Sequence, residues 1–117
     1  MAHLSTHVLD TARGVPAAGV LVEVRFLGDA GAQRVAAATT NALGRTDAPL
    51  IMGARLEPGI YELTFHAGEY FRQAGLTLAS PPFLDLVVVR VGIGDPDGSY
   101  HIPLLISPYG YTTYRGT

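Results

Sequence analysis

The sequence predicts an all-β protein: a sandwich of two sheets, built from seven to eight short strands with one short helix. Three observations lead to this prediction. Apolar residues recur at every second position in several short runs, which is the spacing of a half-buried strand. Fourteen glycines and eight prolines separate these runs, as frequent turns require. Only one segment has a helical pattern. Many short strands, frequent turns and little helix are together typical of antiparallel strands joined by Greek-key connections.

The first half of the chain contains three predicted strands. Residues 4–9 form an apolar run that ends at a turn-forming segment. Residues 19–27 alternate, with valines and a phenylalanine on one face and charged residues on the other. A Gly-Asp-Ala-Gly loop at 28–31 then turns the chain into a return strand at 34–40.

The middle of the chain contains a turn, a strand and the helix. Residues 41–44, Asn-Ala-Leu-Gly, form a turn that delivers Arg45. Residues 60–67 alternate again after a Pro-Gly turn, with Tyr, Leu and Phe on one face. Residues 69–74 are the one plausible helix, shorter than two turns and closed by a glycine.

Three further elements complete the chain. Residues 83–91 contain three consecutive valines, and such a continuous apolar run predicts a central strand that is buried on both faces. A loop at 93–99 leads to a strand at 100–107, which ends at a Pro-Tyr-Gly turn. Residues 111–115 form a last short strand.

The composition bounds the class of protein. The length of 117 residues suits a single domain covering 1–117. The charged fraction of 15% is below the roughly 25% of ordinary soluble domains, which hints that other subunits cover apolar surface. A net charge of −2 without a basic cluster gives nucleic-acid binding no electrostatic support. No apolar run approaches the ~18 residues that a membrane span needs.

Cysteine is absent from the chain, so disulfides and thiolate metal sites are excluded. The first five residues have neither a basic nor an apolar region of the kind that a secretory signal needs. We therefore expect a cytoplasmic location.

Four histidines, His3, His7, His66 and His101, are the first candidates for proton transfer. His3 and His7 share strand parity but would lie about 13 Å apart along a strand, too far for one metal ion. We therefore expect no metal site. His66 falls on the polar face of its strand and His3 near the chain terminus, which predicts solvated surface histidines at both positions.

Three segments of the chain resemble the motifs of the 5-hydroxyisourate hydrolases, a transthyretin-like family. The first is LSTHVLDTARGVPA, the second TTNALGRT and the third YHIPLLISPYGYTTYRGT. They match the family patterns HVLD…G.PA, TN..GR and YH.PLLLSP.GY.TYRGS. The resemblance spans almost the whole chain, and the closing tetrapeptide separates these hydrolases from true transthyretins.

The resemblance implies a transthyretin-like sandwich and a set of site residues. His7 and His101 correspond to the family's active-site histidines, and Arg45 to its arginine. Tyr114 and Thr117 belong to the closing tetrapeptide, whose last hydroxyl lines the site. Thr117 replaces the usual serine, so the hydroxyl survives with an added methyl group. The implied catalytic set is His7, Arg45, His101 and Thr117, and the implied substrate-binding set is His7, Arg45, Tyr114 and Thr117.

The implied reaction is the metal-free, cofactor-free hydrolysis of 5-hydroxyisourate to 2-oxo-4-hydroxy-4-carboxy-5-ureidoimidazoline in urate degradation. It needs an activated water, a stabilised oxyanion and a proton for the leaving nitrogen. His7 is favoured narrowly as the base or its orienter, with His101 as its partner, and the sequence leaves the assignment between them open. The resemblance also implies a homotetramer, a dimer of dimers with its sites at the dimer–dimer interface.

Two other functions compete with this interpretation. A transthyretin-type carrier of small ligands would have the same fold, because the fold alone does not decide function. A generic β-sandwich interaction module would explain the composition but not the three motifs together. The polar set of two histidines and an arginine favours the enzyme.

Overall fold

The computed structural model describes residues 1–117 as nine strands and one helix. In chain order the elements are β1 (Ala2–Asp10), β2 (Val15–Pro16), β3 (Leu21–Gly28), β4 (Gly31–Thr39), β5 (Ile51–Gly53), β6 (Gly59–His66), α1 (Ala67–Gln73), β7 (Leu86–Ile93), β8 (Ser99–Ser107) and β9 (Gly110–Thr113). Seven strands have four or more residues, and the very short β2 and β5 were not among the predicted strands.

The strands form two sheets, which confirms the predicted all-β sandwich. One sheet has the order β2-β1-β8-β9, and β5 pairs with β1 as its fifth strand. The other sheet has the order β4-β3-β6-β7. Buried side chains from both sheets meet in one core, which includes Leu4, Val8, Val22, Leu63, Phe65 and Leu104. The single helix, α1, is far too short to cross a bilayer.

The expectation of purely antiparallel strands is wrong at one place that matters for function. Strands β1 and β8 pair in parallel over eight residue pairs, from His3 opposite Ser99 to Asp10 opposite Ile106. Period-two patterning is the same for parallel and antiparallel strands, so the sequence could not distinguish them. The parallel register sets which side chains of β1 and β8 become neighbours.

The predicted burial of the valine run is also wrong. Strand β7 is the edge of the four-stranded sheet and pairs only with β6. Val87 and Val89 are buried, whereas Val88 between them is 45% exposed. The run is therefore buried on one face only, and its outer side is open.

Helix α1 begins two residues earlier than predicted and is tied to the end of β1. Asp10 accepts hydrogen bonds from the Tyr70 hydroxyl (2.7 Å) and from Arg13 Nε (2.9 Å). Burial on its own raises the pKa of Asp10, but the hydrogen bonds from Arg13 and Tyr70 outweigh it and lower the pKa. The Asp of the HVLD motif therefore anchors the helix.

Candidate active site

The outer face of the five-stranded sheet carries the predicted histidines. Strand β1 alternates strictly between buried and partly exposed residues. Leu4, Thr6 and Val8 point into the core, and none is more than 2% exposed. His3, Ser5 and His7 therefore share the outer face, because successive side chains of a strand point to opposite sides. His3 is part of this strand rather than of a frayed terminus.

The parallel pairing brings His101 onto the same face. Ser5 lies directly opposite His101, and His7 lies opposite Pro103. Tyr100 and Ile102 flank His101 in the chain and are buried, so the imidazole between them faces outward. Two histidines that are 94 positions apart in the chain thus lie diagonally across one strand pair.

His7 is held by the turn that follows β4. The His7 Nε2 atom lies 3.0 Å from the carbonyl oxygen of Leu43. A carbonyl can only accept a hydrogen bond, so the proton of neutral His7 is on Nε2. The Nδ1 atom then carries the free lone pair, which suits it to take a proton from water.

The same turn delivers Arg45 beside His7, where the two residues form an isolated β-bridge. The Asn41 side chain accepts a hydrogen bond from the Leu43 backbone N–H (2.9 Å). Gly44 has a φ of +76°, and a Cβ at this position would collide with the carbonyl oxygen of Val8. The turn predicted at 41–44 is confirmed, and only glycine fits where it meets β1.

The His101 ring is contacted on two sides, by Ser5 and by Gly116. The Ser5 Oγ atom lies 2.8 Å from His101 Nδ1. The Gly116 N–H donates to the His101 carbonyl oxygen (2.7 Å), and the α-carbon of Gly116 lies so close to the ring that a Cβ would be 2.6 Å from His101 Cδ2. The chain's closing residues are therefore fixed against this histidine.

The electrostatic surroundings keep His101 neutral. Burial lowers the pKa of His101 below its ordinary value of 6.5, and Coulombic repulsion from Arg45, and from His7 and His3 when they are protonated, lowers it further. At neutral pH the ring is therefore an uncharged imidazole. Arg45 is exposed and keeps its guanidinium donors free for an anionic or carbonyl ligand.

Of the closing tetrapeptide, Gly116 pairs with His101, whereas Tyr114 lies elsewhere. Thr117 directly follows the glycine that contacts His101. Tyr114 instead lines a cleft of about 340 Å³ with Val89, Tyr100 and Ile102, between the edges of the two sheets. Arg115 lies over the Tyr100 ring, with 4.6 Å from its guanidinium carbon to the ring centre.

His66 differs from its predicted role as a free surface histidine. Its Nε2 lies 2.8 Å from Glu23 Oε1, on the outer face of the other sheet. The hydrogen bond from His66 lowers the pKa of Glu23. His66 does not join the other histidines, and no group of three or more His, Cys, Asp or Glu side chains could hold a metal ion.

Sequence reasoning missed Ser5, which contacts His101, and the Leu43 carbonyl, which contacts His7. Ser5 has the same strand parity as His3 and His7, which indicates that it lies on the same face of β1. Its contact with His101 depends on the parallel pairing of β1 with β8 and could not be read from the sequence. No sequence signal points to a backbone carbonyl.

Comparison with known proteins shows the family of the chain. Residues 4–116 match the model of the HIUase/transthyretin family. A protein of Rhizobium meliloti (strain 1021) named 5-hydroxyisourate hydrolase 2 is 55% identical over 115 residues, which are 97% of this chain and 95% of the relative.

Solved structures share the fold. The chain superposes on Klebsiella pneumoniae 5-hydroxyisourate hydrolase with a TM-score of 0.82 and 37% identity, covering all of both chains. Transthyretin from Sparus aurata gives a TM-score of 0.85 at 29% identity, with 97% of this chain and 95% of that chain covered. An (S)-allantoin synthase gives 0.92 at 40% identity over 99% of this chain, which spans only 44% of the synthase chain.

Proposed function

The chain belongs to the HIUase/transthyretin family, and from that premise we propose that it hydrolyses 5-hydroxyisourate. The observation that carries this proposal is the convergence of His7, Arg45 and His101 on one sheet face, in a chain that is 55% identical to a named 5-hydroxyisourate hydrolase. The predicted hydrolase function is thereby favoured over the non-enzymatic carrier.

The proposed mechanism begins with His7. Its Nδ1 takes a proton from water, and the resulting hydroxide attacks a ring carbonyl of the substrate. The His7 Nε2–H remains hydrogen-bonded to the Leu43 carbonyl oxygen (3.0 Å). This bond fixes the orientation of the ring while Nδ1 accepts the proton. Positioned general bases of this kind contribute roughly 10²–10⁴-fold to the rate.

The negative charge that develops on the carbonyl oxygen requires fixed donors. Arg45 offers planar N–H groups next to His7, and such preorganised donors stabilise the tetrahedral intermediate. The C–N bond of the ring amide then breaks, and His7 returns its proton to the leaving nitrogen. One water is consumed, the six-membered ring opens, and no redox partner or metal is needed for this balance.

We assign the hydroxyl of Thr117 to orienting water or substrate beside His101. Its neighbour Gly116 is hydrogen-bonded to the His101 carbonyl, which supports this placement. Within one protomer Tyr114 lies in the cleft between the sheet edges. We therefore assign it to substrate binding in the assembled tetramer and not within its own protomer.

The proposed working form is a homotetramer. Strands β7 and β9 are both open edges and flank the same cleft, and unpaired edges invite pairing with another chain. Exposed apolar groups at these edges include Leu86, Val88 and Tyr111. Two chains joined along these edges would form a dimer, and two dimers stacked on the histidine-bearing faces would enclose the site.

The test is the ultraviolet decay of 5-hydroxyisourate made in place from urate by urate oxidase. The protein is expected to accelerate the decay in proportion to its concentration. A carrier would bind the compound and leave the decay rate at its spontaneous value, which would overturn the proposed function.

A further inference from the structure

Ser5 is the residue of β1 whose side chain is hydrogen-bonded to the His101 ring. The family motifs assign no catalytic role to this serine. It lies on the outer face of β1 directly opposite His101, with its Oγ 2.8 Å from Nδ1. This contact is the only hydrogen bond that the Ser5 hydroxyl makes to the protein. Nδ1 is therefore the one protein atom to which the Ser5 hydroxyl can donate its proton.

We propose that Ser5 is a positioning residue that holds His101 in the tautomer whose proton is on Nε2. A hydroxyl that donates to Nδ1 requires Nδ1 to be unprotonated, so neutral His101 carries its proton on the other nitrogen. The inference about turnover rests on the proposed function, whereas the inference about the tautomer does not.

Gly116 fixes the other side of the ring. Its α-carbon packs against His101 Cδ2, the carbon bonded to Nε2. Gly116 pairs with His101 on the β9 side of β8, opposite the β1 side on which Ser5 lies. Contacts at Nδ1 on one side and at Cδ2 on the other therefore restrict rotation of the His101 ring.

The two histidines consequently have opposite roles. His7 presents a lone pair at Nδ1, because its Nε2 proton is used by the Leu43 carbonyl. His101 presents a proton at Nε2, because its Nδ1 is occupied by Ser5. A neutral imidazole is a poor proton donor but a good hydrogen-bond donor, so His101 acts with Arg45 on the developing oxyanion and does not release its proton.

The lowered pKa of His101 supports this role. Burial and the charges of Arg45, His7 and His3 all disfavour the imidazolium form. The neutral ring then persists at neutral pH.

The test compares Ser5→Ala, Ser5→Thr and the control Ser99→Ala. Ser99 is a second serine of the same strand pair, 3.5 Å from a different histidine, His3. Long-range ¹H–¹⁵N spectra of histidine-labelled protein separate protonated from unprotonated ring nitrogens, and assays on 5-hydroxyisourate give kcat and KM.

We expect wild-type His101 to carry its proton on Nε2 and Ser5→Ala to give a mixture of tautomers. The loss of one hydrogen bond should lower kcat about five-fold, with KM nearly unchanged, because Ser5 does not touch the substrate. Ser5→Thr keeps the hydroxyl and should restore both readouts, and Ser99→Ala should change neither.

A wild-type proton on Nδ1 would overturn the inference. So would a Ser5→Ala protein with unchanged tautomer or unchanged kcat, or a Ser99→Ala protein with the same losses. Failure of the wild-type protein to accelerate 5-hydroxyisourate decay would overturn the proposed function instead, since the spectra need no substrate.

Discussion

His7 and His101 lie on the same sheet face, but different groups hold their rings. A backbone carbonyl holds His7 at Nε2, and a serine hydroxyl contacts His101 at Nδ1. The motifs predicted both histidines and Arg45 as site residues, and the structure brings the three together. It was not possible to assign the base from the sequence, because the assignment depends on which ring nitrogen is free.

The first residue-scale prediction concerns the pH dependence of His101. Its folded-state pKa is lowered, so the ring stays neutral at neutral pH and is protonated only below the ordinary value of 6.5. The stability that it contributes is present above the unfolded pKa and is lost as pH falls through the folded pKa. NMR titration should place its midpoint below that of a free histidine, and His3→Gln should raise the midpoint.

The control for this titration is His66→Gln, which removes a histidine from the opposite face of the sandwich. It should leave the His101 midpoint unchanged. A His101 ring that titrates at or above the ordinary histidine pKa would contradict the neutral-donor role.

The second residue-scale prediction concerns Thr117, where the family pattern has serine. Thr117→Ser keeps the hydroxyl and should retain kcat within about two-fold. Thr117→Val keeps the shape but removes the hydroxyl, and loss of one hydrogen bond near the site should lower kcat by roughly three- to ten-fold. Steady-state assays of the two variants measure this difference, and equal activities would exclude a role for the hydroxyl.

At the scale of elements, strand positions were predictable but strand partners were not. The alternation within residues 60–67 correctly placed β6 and its buried Tyr61, Leu63 and Phe65. The pairing of β1 with β8 joins residues 96 positions apart, and no local pattern records it. The valine run of β7 has a buried central strand's composition but lies at an edge, because composition alone does not show whether a strand has one neighbour or two.

The turn before Arg45 provides the element-scale prediction. Gly44→Ala should strain a backbone with a φ of +76° and push the turn away from Val8. We expect destabilisation by about 1–3 kcal/mol and a fall in kcat/KM of at least ten-fold, because Arg45 and the Leu43 carbonyl move with the turn. Thermal melts and steady-state assays measure the two effects.

The matched control is Gly31→Ala in the β3–β4 hairpin. Gly31 also has a positive φ, of +98°, but a Cβ there would meet no atom within 4 Å. This variant should lose stability by about 1 kcal/mol and keep full activity. An equal loss of activity in both variants would mean that Gly44 acts through global stability alone.

At the scale of the whole molecule, one protomer leaves the proposed site open to solvent. The outer face that carries His7 and His101 also carries Leu9 and Leu105, both only partly exposed. Polar catalytic groups next to exposed apolar side chains are consistent with a face that is covered by another copy of the chain. The low charged fraction of the chain points in the same direction.

Assembly is therefore expected to be required for turnover. Leu105→Glu places a charge on the proposed dimer–dimer face and should give dimers with kcat/KM lowered by at least ten-fold, because desolvating an unpaired charge disfavours the contact. Sedimentation velocity and activity assays at matched concentrations measure this. Leu21→Glu, on the outer face of the other sheet, should leave both unchanged, and a fully active dissociated species would refute the requirement.

The central claim is that His7 drives hydrolysis of 5-hydroxyisourate from the outer face of the five-stranded sheet. The most direct measurement is kcat/KM of His7→Asn beside that of His66→Asn, which alters a histidine bound to Glu23 on the other sheet. We predict a loss of at least about 100-fold for His7→Asn, the lower end of general-base contributions, and near-normal turnover for His66→Asn. Near-normal turnover by His7→Asn would contradict the mechanism.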